Sequence, residues 1–249
     1  MEIKSPIFKQ KKLIYKGKFI SYYIKEYEIE KEGKKIIIPY EVTEYNSRNS
    51  EKTEDNNGFI TKNKYNIYAV NILAIIKYSS KKPKLLIIGN FRYPINKYCL
   101  ELPGGIIDKS DLSNNDFHKA IENACLRELE EETGYKGKFL HYSSGGMLSG
   151  YNGGNLNQEE QLKVGSNIFY DPWKSCDNAV QCIMEIDVDN ENNYKKQHLD
   201  ESELIQVFEV EIDNLMEFIH TKIKNENFAC CCQLYNFALG LNFNQLFTK

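Results

Sequence analysis

The stretch RELEEETGY, residues 127–135, places Glu128, Glu130, Glu131 and Glu132 within one and a half helical turns. Like charges three or four residues apart on a helix oppose it by about 0.2–0.5 kcal/mol per pair. A chain with a formal net charge of −3 has no general need to crowd carboxylates in this way. Upstream, Ile121, Cys125 and Leu129 recur every four residues with Ala120 and Ala124 beside them, the stripe of an amphipathic helix. Asp116 suits its N-cap and Gly134 its C-terminal stop. At about 100° per residue with Cys125 at the origin, Glu132 falls roughly 20° and Glu128 roughly 60° from the middle of the stripe. A solvated face accounts for Glu130. It leaves Glu128 and Glu132 where ionised carboxylates are costly unless a cation joins them. Arg127 can serve one of them; a divalent metal can serve Glu128, Glu131 and Glu132 together. Magnesium is the natural ion, being hard, oxygen-seeking and inclined to keep waters and phosphates in its shell, with manganese as the alternative.

Composition narrows the rest. With 249 residues, 41% hydrophobic and 27% charged, the chain can build one large domain, or a domain with a smaller addition. The small net charge argues against bulk electrostatic attraction to nucleic acid or an anionic membrane. The start MEIKSPIFKQKKLIYKG has no run that reads as a signal peptide, and the apolar stretch IYAVNILAII (67–76) is far shorter than the roughly 18 residues of a membrane span. The seven cysteines include no C-x-x-C pair, and Cys230, Cys231 and Cys232 are consecutive. Reduced thiols on a half-buried helix, in a cytoplasmic or nuclear protein, are the expectation.

Along the chain, residues 12–45 are rich in Ile and Tyr around the turn EKEGKK and read as a β-hairpin or small meander. Residues 46–66 are polar and aperiodic and mark a boundary, giving an N-terminal β-element over 1–60 and a main domain over 61–249. Strands are expected in YNIYAVNILAIIKY, KPKLLIIGNFRY, YCLEL, CDNAVQCIMEIDV and ELIQVFEVEI, and helices in DNLMEFIHTKIKNE and NFACCCQLYNFALGL. The Gly- and Asn-rich stretch 143–167 lacks the setting and the Lys of a phosphate-binding loop. The order of elements predicts an α+β fold in which helices flank a mixed central sheet as an α/β/α sandwich, with an antiparallel N-terminal β-element.

Gly105 together with Arg127, Glu128, Leu129, Glu131, Glu132, Gly134 and Tyr135 resembles the signature of the Nudix hydrolases. The first half of that signature is longer here by eight residues, within the stretch 108–119. Its first Glu therefore has two candidate counterparts, Asp111 counting forward from Gly105 and Lys119 counting back from Arg127. GNFRYPINKYCLELPGGIID followed by LRELEEETGYKG is similar to the ADP-sugar pyrophosphatase branch, best known for ADP-ribose hydrolysis. The resemblance implies a homodimer with a swapped N-terminal element, a nucleotide-sugar substrate and two or three magnesium ions. It implies metal ligation by Glu128, Glu131, Glu132 and the Gly104 carbonyl, with Arg127 orienting a carboxylate and Glu101 nearby. It also implies a general base at Glu203, with Glu201 as the alternative. Arg92 would hold phosphate or ribose, Phe19 and Tyr40 the base, and Asp171 a substrate-side turn. After Asp171-Pro172 the family often has Gly; here it is Trp173, and where the family has a basic residue after the IPYEVT strand stands Tyr45.

Overall fold

The apolar runs of the sequence become the strands of two separate sheets. The structure is a computed structural model that describes residues 5–18, 20–31, 33–46, 67–112, 116–142, 168–175, 177–188 and 196–247. The chain divides into two compact units, Met1–Tyr68 with Leu162–Ala179, and Ala69–Gln161 with Val180–Lys249. The first unit thus joins the N-terminal β-element to a stretch from much later in the sequence. The polar stretch from 47 to 66 and the whole of 143–167 lie outside the described residues.

In the first unit, β1 (Ile7–Lys16), β2 (Ile20–Lys31) and β3 (Lys34–Tyr45) form an antiparallel meander in that order. It begins earlier than the hairpin expected from residue 12. Gly33, at φ 74°, turns β2 into β3 so that Lys31 faces Lys34, a backbone conformation that favours glycine. Glu44 ties the sheet across its width, pairing with Lys11 at 2.6 Å and Lys25 at 2.8 Å. Ile7, Leu13, Ile14, Tyr15, Ile36 and Ile37 remain exposed.

In the second unit, β4 (Ala69–Lys77) alternates buried and half-buried residues, while Leu85 to Asn90 of β5 (Lys84–Arg92) are all buried. That is the pattern of a strand covered on both faces. β10 (Ile205–Glu211) runs antiparallel along one edge of β5. The other edge is shared: β4 takes Lys84–Leu86, and β6 (Lys97–Glu101) takes Ile88–Arg92. Leaving β6, the chain crosses at Pro103, whose carbonyl accepts from Ile72 N at 2.8 Å. β7 (Gly104–Ile106) then pairs with Ala69–Asn71 of β4. Gly104 and Gly105 therefore lie where the sheet splays, between β4 and β5.

β8 (Lys138–Tyr142) and β9 (Ala179–Asp187) extend the sheet beyond β4. β8 was not foreseen from sequence. Helix α1 (Phe117–Thr133) packs over β7, β4 and β8, and α2 (Leu215–Glu226) and α3 (Cys232–Phe247) pack on β10 and β6. Leu85, Ile87, Leu100, Val210, Leu215, Ile219, Phe228 and Leu234 form the core beneath α2 and α3. Helices flanking a mixed sheet are what the sequence predicts.

One expected helix is shortened. Ala229–Cys230 form β11, parallel to β6, and α3 starts only at Cys232. Cys231 N donates to Leu100 O at 3.0 Å, so the open edge of β6 captures backbone that helical periodicity had claimed. Burial pushes the Cys230 thiol up to about 12 and Cys231 up to about 11, which leaves both inert at neutral pH. The described cysteines are all free.

Candidate active site

Helix α1 carries its acidic cluster to the splay in the sheet. Asp116 caps the helix, its carboxylate accepting from His118 N and Lys119 N, and Gly134 ends it at φ 77° with its N–H on Glu130 O. Between these stops Ile121, Ala124, Cys125 and Leu129 are fully buried, so the helix is locked in rotation about its axis. The carboxylates follow from that rotation. Glu132 is 4% exposed and the Glu128 side chain 12%, against 43% for Glu131.

The two glycines are what let these carboxylates in. Gly104 N donates to Glu132 Oε2 at 2.8 Å. A Cβ on Gly104 would strike the Val70 carbonyl, and one on Gly105 would overlap the Glu128 carboxylate itself. A side chain at either position is therefore excluded by atoms of the sheet or of the cluster, and the backbone there is at its closest approach to the helix.

Arg127 is the hub. Its Nη1 donates to Glu128 Oε1 at 2.8 Å and to Glu131 Oε2 at 3.0 Å. Its Nε donates to Asp111 Oδ1 at 3.0 Å, and its Nη2 to Asp111 Oδ2 at 2.9 Å and to Ile106 O at 3.0 Å. Burial opposes its charge, but the hydrogen bonds and charges of Asp111 and Glu128 outweigh that and hold the guanidinium above its ordinary range. Asp111, itself buried, also accepts from Asp108 N at 2.7 Å. Between the two positions that sequence counting left open, the side chain facing Arg127 is Asp111; Lys119 instead pairs with Glu122.

Arg92 sits with Glu101 in a two-pronged pair, Nε to Oε1 at 2.8 Å and Nη2 to Oε2 at 2.5 Å. Its side chain is half exposed. The Glu101 hydrogen bond holds its guanidinium above the ordinary range, burial opposing, with help from the charges of Glu101 and Glu132. Glu203 lies in the turn before β10, where its N–H donates to Asp200 O and its Oε2 accepts from Asp200 N at 3.0 Å. Glu201 is exposed in the same turn. That turn is moored to the end of α1, because Gln197 Nε2 donates to Glu132 O at 2.5 Å and His198 N to Glu131 O at 2.8 Å. These are helix-terminal carbonyls that have no partner within the helix.

The electrostatic consequence is an excess of carboxylate. Burial raises the Glu128 carboxyl to about 7; Arg127 works against this, while the charges of Glu131 and Glu203 reinforce it. Burial also raises Glu132 well above the ordinary carboxylate range; the Gly104 N–H opposes it, and the charges of Glu128, Glu203 and Glu101 add to it. Six acidic side chains (Glu101, Asp111, Glu128, Glu131, Glu132 and Glu203) thus share two guanidinium groups, and carboxyls that raise one another's proton affinity make a hard oxygen donor set suited to a divalent cation. As the side chains stand, Arg127 Nη1 lies between Glu128 and Glu131, and no group of three acidic, His or Cys side chains among the described residues is arranged around a common metal position.

The remaining expected residues fall in the first unit. Tyr40 donates its hydroxyl to Trp173 O at 2.6 Å, and Asp171 pairs with Lys174 at 2.5 Å within the same turn. Phe19 lies outside the described residues. Asp111 as the anchor of Arg127, and the mooring by Gln197 and His198, were missed from sequence. Only the count from Gly105 pointed to Asp111, and nothing in the sequence marked the other two.

No family model matches the chain. It is 30% identical over 183 residues to an uncharacterized Nudix hydrolase of Schizosaccharomyces pombe, spanning 73% of this chain and 74% of that one. It is 27% identical over 183 residues to the ADP-ribose pyrophosphatase of Saccharomyces cerevisiae, covering 66% of that protein. A crystal structure of an ADP compounds hydrolase shares the fold, with a TM-score of 0.51 and 11% identity over 98% of both chains. With the acidic helix seated at a glycine-lined splay and a relative at this identity over most of both sequences, the chain belongs to the Nudix hydrolases.

Proposed function

We propose that the chain hydrolyses the pyrophosphate bond of a nucleoside diphosphate sugar in the presence of magnesium, with ADP-ribose, yielding AMP and ribose 5-phosphate, as the preferred substrate. The observation that carries this reading is the cluster of Glu128, Glu131 and Glu132 against Gly104 and Gly105, with too little positive charge beside it to be a purely structural network. The yeast relative's name, ADP-ribose pyrophosphatase, supports the choice of substrate.

Glu128, Glu131, Glu132 and the Gly104 carbonyl would hold the ions, two or three in number, in a cytoplasmic protein. Bound there, they would neutralise the diphosphate, polarise the phosphorus and acidify a water. Every other step belongs to the chain. Glu131, the most exposed of the three, turns away from Arg127 to complete the donor set. Arg127 keeps Glu128 in place through its remaining bonds to Asp111 and Ile106. Glu203 takes the proton of the attacking water as the oxygen–phosphorus bond forms, and the second phosphate departs on the opposite side with the electron pair of the broken bond. Arg92, once released from Glu101, pairs with phosphate or ribose oxygens of the substrate.

The exposed apolar residues of β1 and β3 are the surface we assign to a second copy of the chain, giving a homodimer. Light scattering of the purified protein would check it; a monomer at micromolar concentration would remove that assignment.

The test of activity is incubation with magnesium and a panel of ADP-ribose, ADP-glucose and UDP-glucose, with products separated by chromatography. AMP from ADP-ribose, with UDP-glucose left intact, is expected. Uridine product alone would move the substrate to the UDP-sugars, and no product from any of them would overturn the reading.

A further inference from the structure

The turn that carries Glu203 is closed on itself. Glu203 N donates to Asp200 O at 2.9 Å, and Asp200 N donates back to Glu203 Oε2 at 3.0 Å. Such a turn fixes its own shape but not its place. Its place comes from bonds to the rest of the second unit, and two side chains supply them, one from each flank.

The first flank is the end of β5. The ladder between β10 and β5 sets Ile205 against Asn90 and runs on past that pair, with Phe91 N donating to Leu204 O at 3.1 Å. The same register carried one residue further sets Glu203 against Arg92, and one further again sets Ser202 against Tyr93. That last step is closed by a side chain, the Tyr93 hydroxyl donating to Ser202 O at 3.3 Å. The Tyr93 ring is braced edge-on by Phe91, with centroids 5.2 Å apart. Glu203 and Arg92 are thus opposite one another, with a hydrogen bond on either side of the pair.

The second flank is α1. Gln197 Nε2 donates to Glu132 O at 2.5 Å and, more weakly, to Ile205 O at 3.5 Å. One amide group therefore links the helix of Glu128 and Glu132 to the first residue of β10. The charge of Glu203 raises the proton affinity of both those glutamates, so the turn brings its carboxylate close to the cluster. Both polar groups, the Gln197 amide and the Tyr93 hydroxyl, are spent on backbone carbonyls rather than pointed at a reacting atom.

We propose that Gln197 and Tyr93 are positioning residues for the base, acting on the attacking water only through where they hold Glu203. The assignment rests on the hydrolase reading above, with Glu203 as its base. A displacement of about 1 Å in such a group can cost about a hundredfold in rate, so loosening either flank is felt in the chemical step and not in substrate capture.

The test is steady-state hydrolysis of ADP-ribose at saturating magnesium. Gln197→Met keeps the length of the side chain and removes its donor; kcat falls about tenfold with KM within about twofold. Tyr93→Phe removes one hydroxyl from a ring that is 62% exposed, and kcat falls about threefold. Each substitution is then repeated in the Glu203→Gln protein, where a residue that works through Glu203 has nothing left to place; there each changes kcat by less than about 1.5-fold. Hydrogen exchange of the amides from 199 to 204, measured without substrate, is faster in both variants. Far-UV circular dichroism verifies folding, and the exposed Tyr93 position carries the test should Gln197→Met not fold. A raised KM with unchanged kcat, a full additional loss in the Glu203→Gln background, or unaltered exchange each overturns the assignment. Wild-type turnover with normal variants removes the positioning role alone, whereas a wild-type protein inactive on every nucleotide sugar removes the hydrolase reading and this role with it.

Discussion

Asp111→Asn removes one negative charge from beneath the acidic helix and keeps the shape of the side chain. In the wild type, Arg127 gives Asp111 two charge-assisted hydrogen bonds, at 3.0 and 2.9 Å, from a half-buried guanidinium to a fully buried carboxylate. Asn can accept one of them at its amide oxygen, without the charge, and presents an amide NH2 to the other donor. Breaking a buried pair outright costs about 3–5 kcal/mol. Arg127 retains Glu128, Glu131 and Ile106 O, so the loss falls below that range, at about 2–3 kcal/mol. For a protein of this size each kcal/mol lowers the melting temperature by about 2–4 °C, which places the variant about 5–10 °C below wild type. Differential scanning calorimetry at pH 7.5 in EDTA measures it. Arg127→Gln alone and combined with Asp111→Asn completes a double-mutant cycle, with a coupling of about 1.5 kcal/mol or more expected. A melting temperature within 2 °C of wild type, or a coupling near zero, would refute the role of Asp111 as the anchor of Arg127.

Three further outcomes follow from the same geometry. Because the folded Glu128 carboxyl is raised from its ordinary 4.5 to about 7, the metal-free folded protein binds more protons than the unfolded chain between those values; its stability falls as pH rises through that window, by about 3 kcal/mol from Glu128, and the raised Glu132 acts in the same direction. Urea unfolding in EDTA from pH 4.5 to 8 reads the slope, Glu128→Gln makes it shallower, and a flat wild-type profile would contradict the burial of that charge. Glu203→Gln lowers kcat by about 100-fold or more with KM changed little, and full turnover in this variant would move the general base elsewhere. Gly105→Ala forces a methyl group into the Glu128 carboxylate; activity is lost at any magnesium concentration, whereas a variant with wild-type kcat would show that the carboxylate has room to move.

What the sequence makes legible is whatever repeats at a fixed spacing. The rotation of α1, and with it the burial of Glu132, follows from Ile121, Cys125 and Leu129 alone. Strands β4, β5, β6, β9 and β10 are legible as continuous or alternating apolar runs, whereas β7, β8 and β11 are too short to show a pattern. The register among the strands is not legible, because the transfer of the chain from β5 to β4 at Pro103 depends on pairings between distant residues. Cys230 was misplaced for the same reason: a free edge on β6 outbids local helical preference. Asp111 lay in a stretch where insertion broke the count, and only the fold could bring it beneath Arg127. The turn at Trp173 is tied to β3 by backbone bonds, which leave no trace in side-chain identity.

The mooring of residues 197 and 198 on the last carbonyls of α1 has a consequence for how the enzyme can vary. A helix must satisfy its terminal carbonyls somehow, and here it does so with the segment that delivers Glu203. The reach of that side chain is therefore gauged from the helix bearing Glu128 and Glu132, and not from the length of chain leading up to it. A single residue added between His198 and Glu203 would throw the Glu203 carboxylate out of range, with turnover falling accordingly.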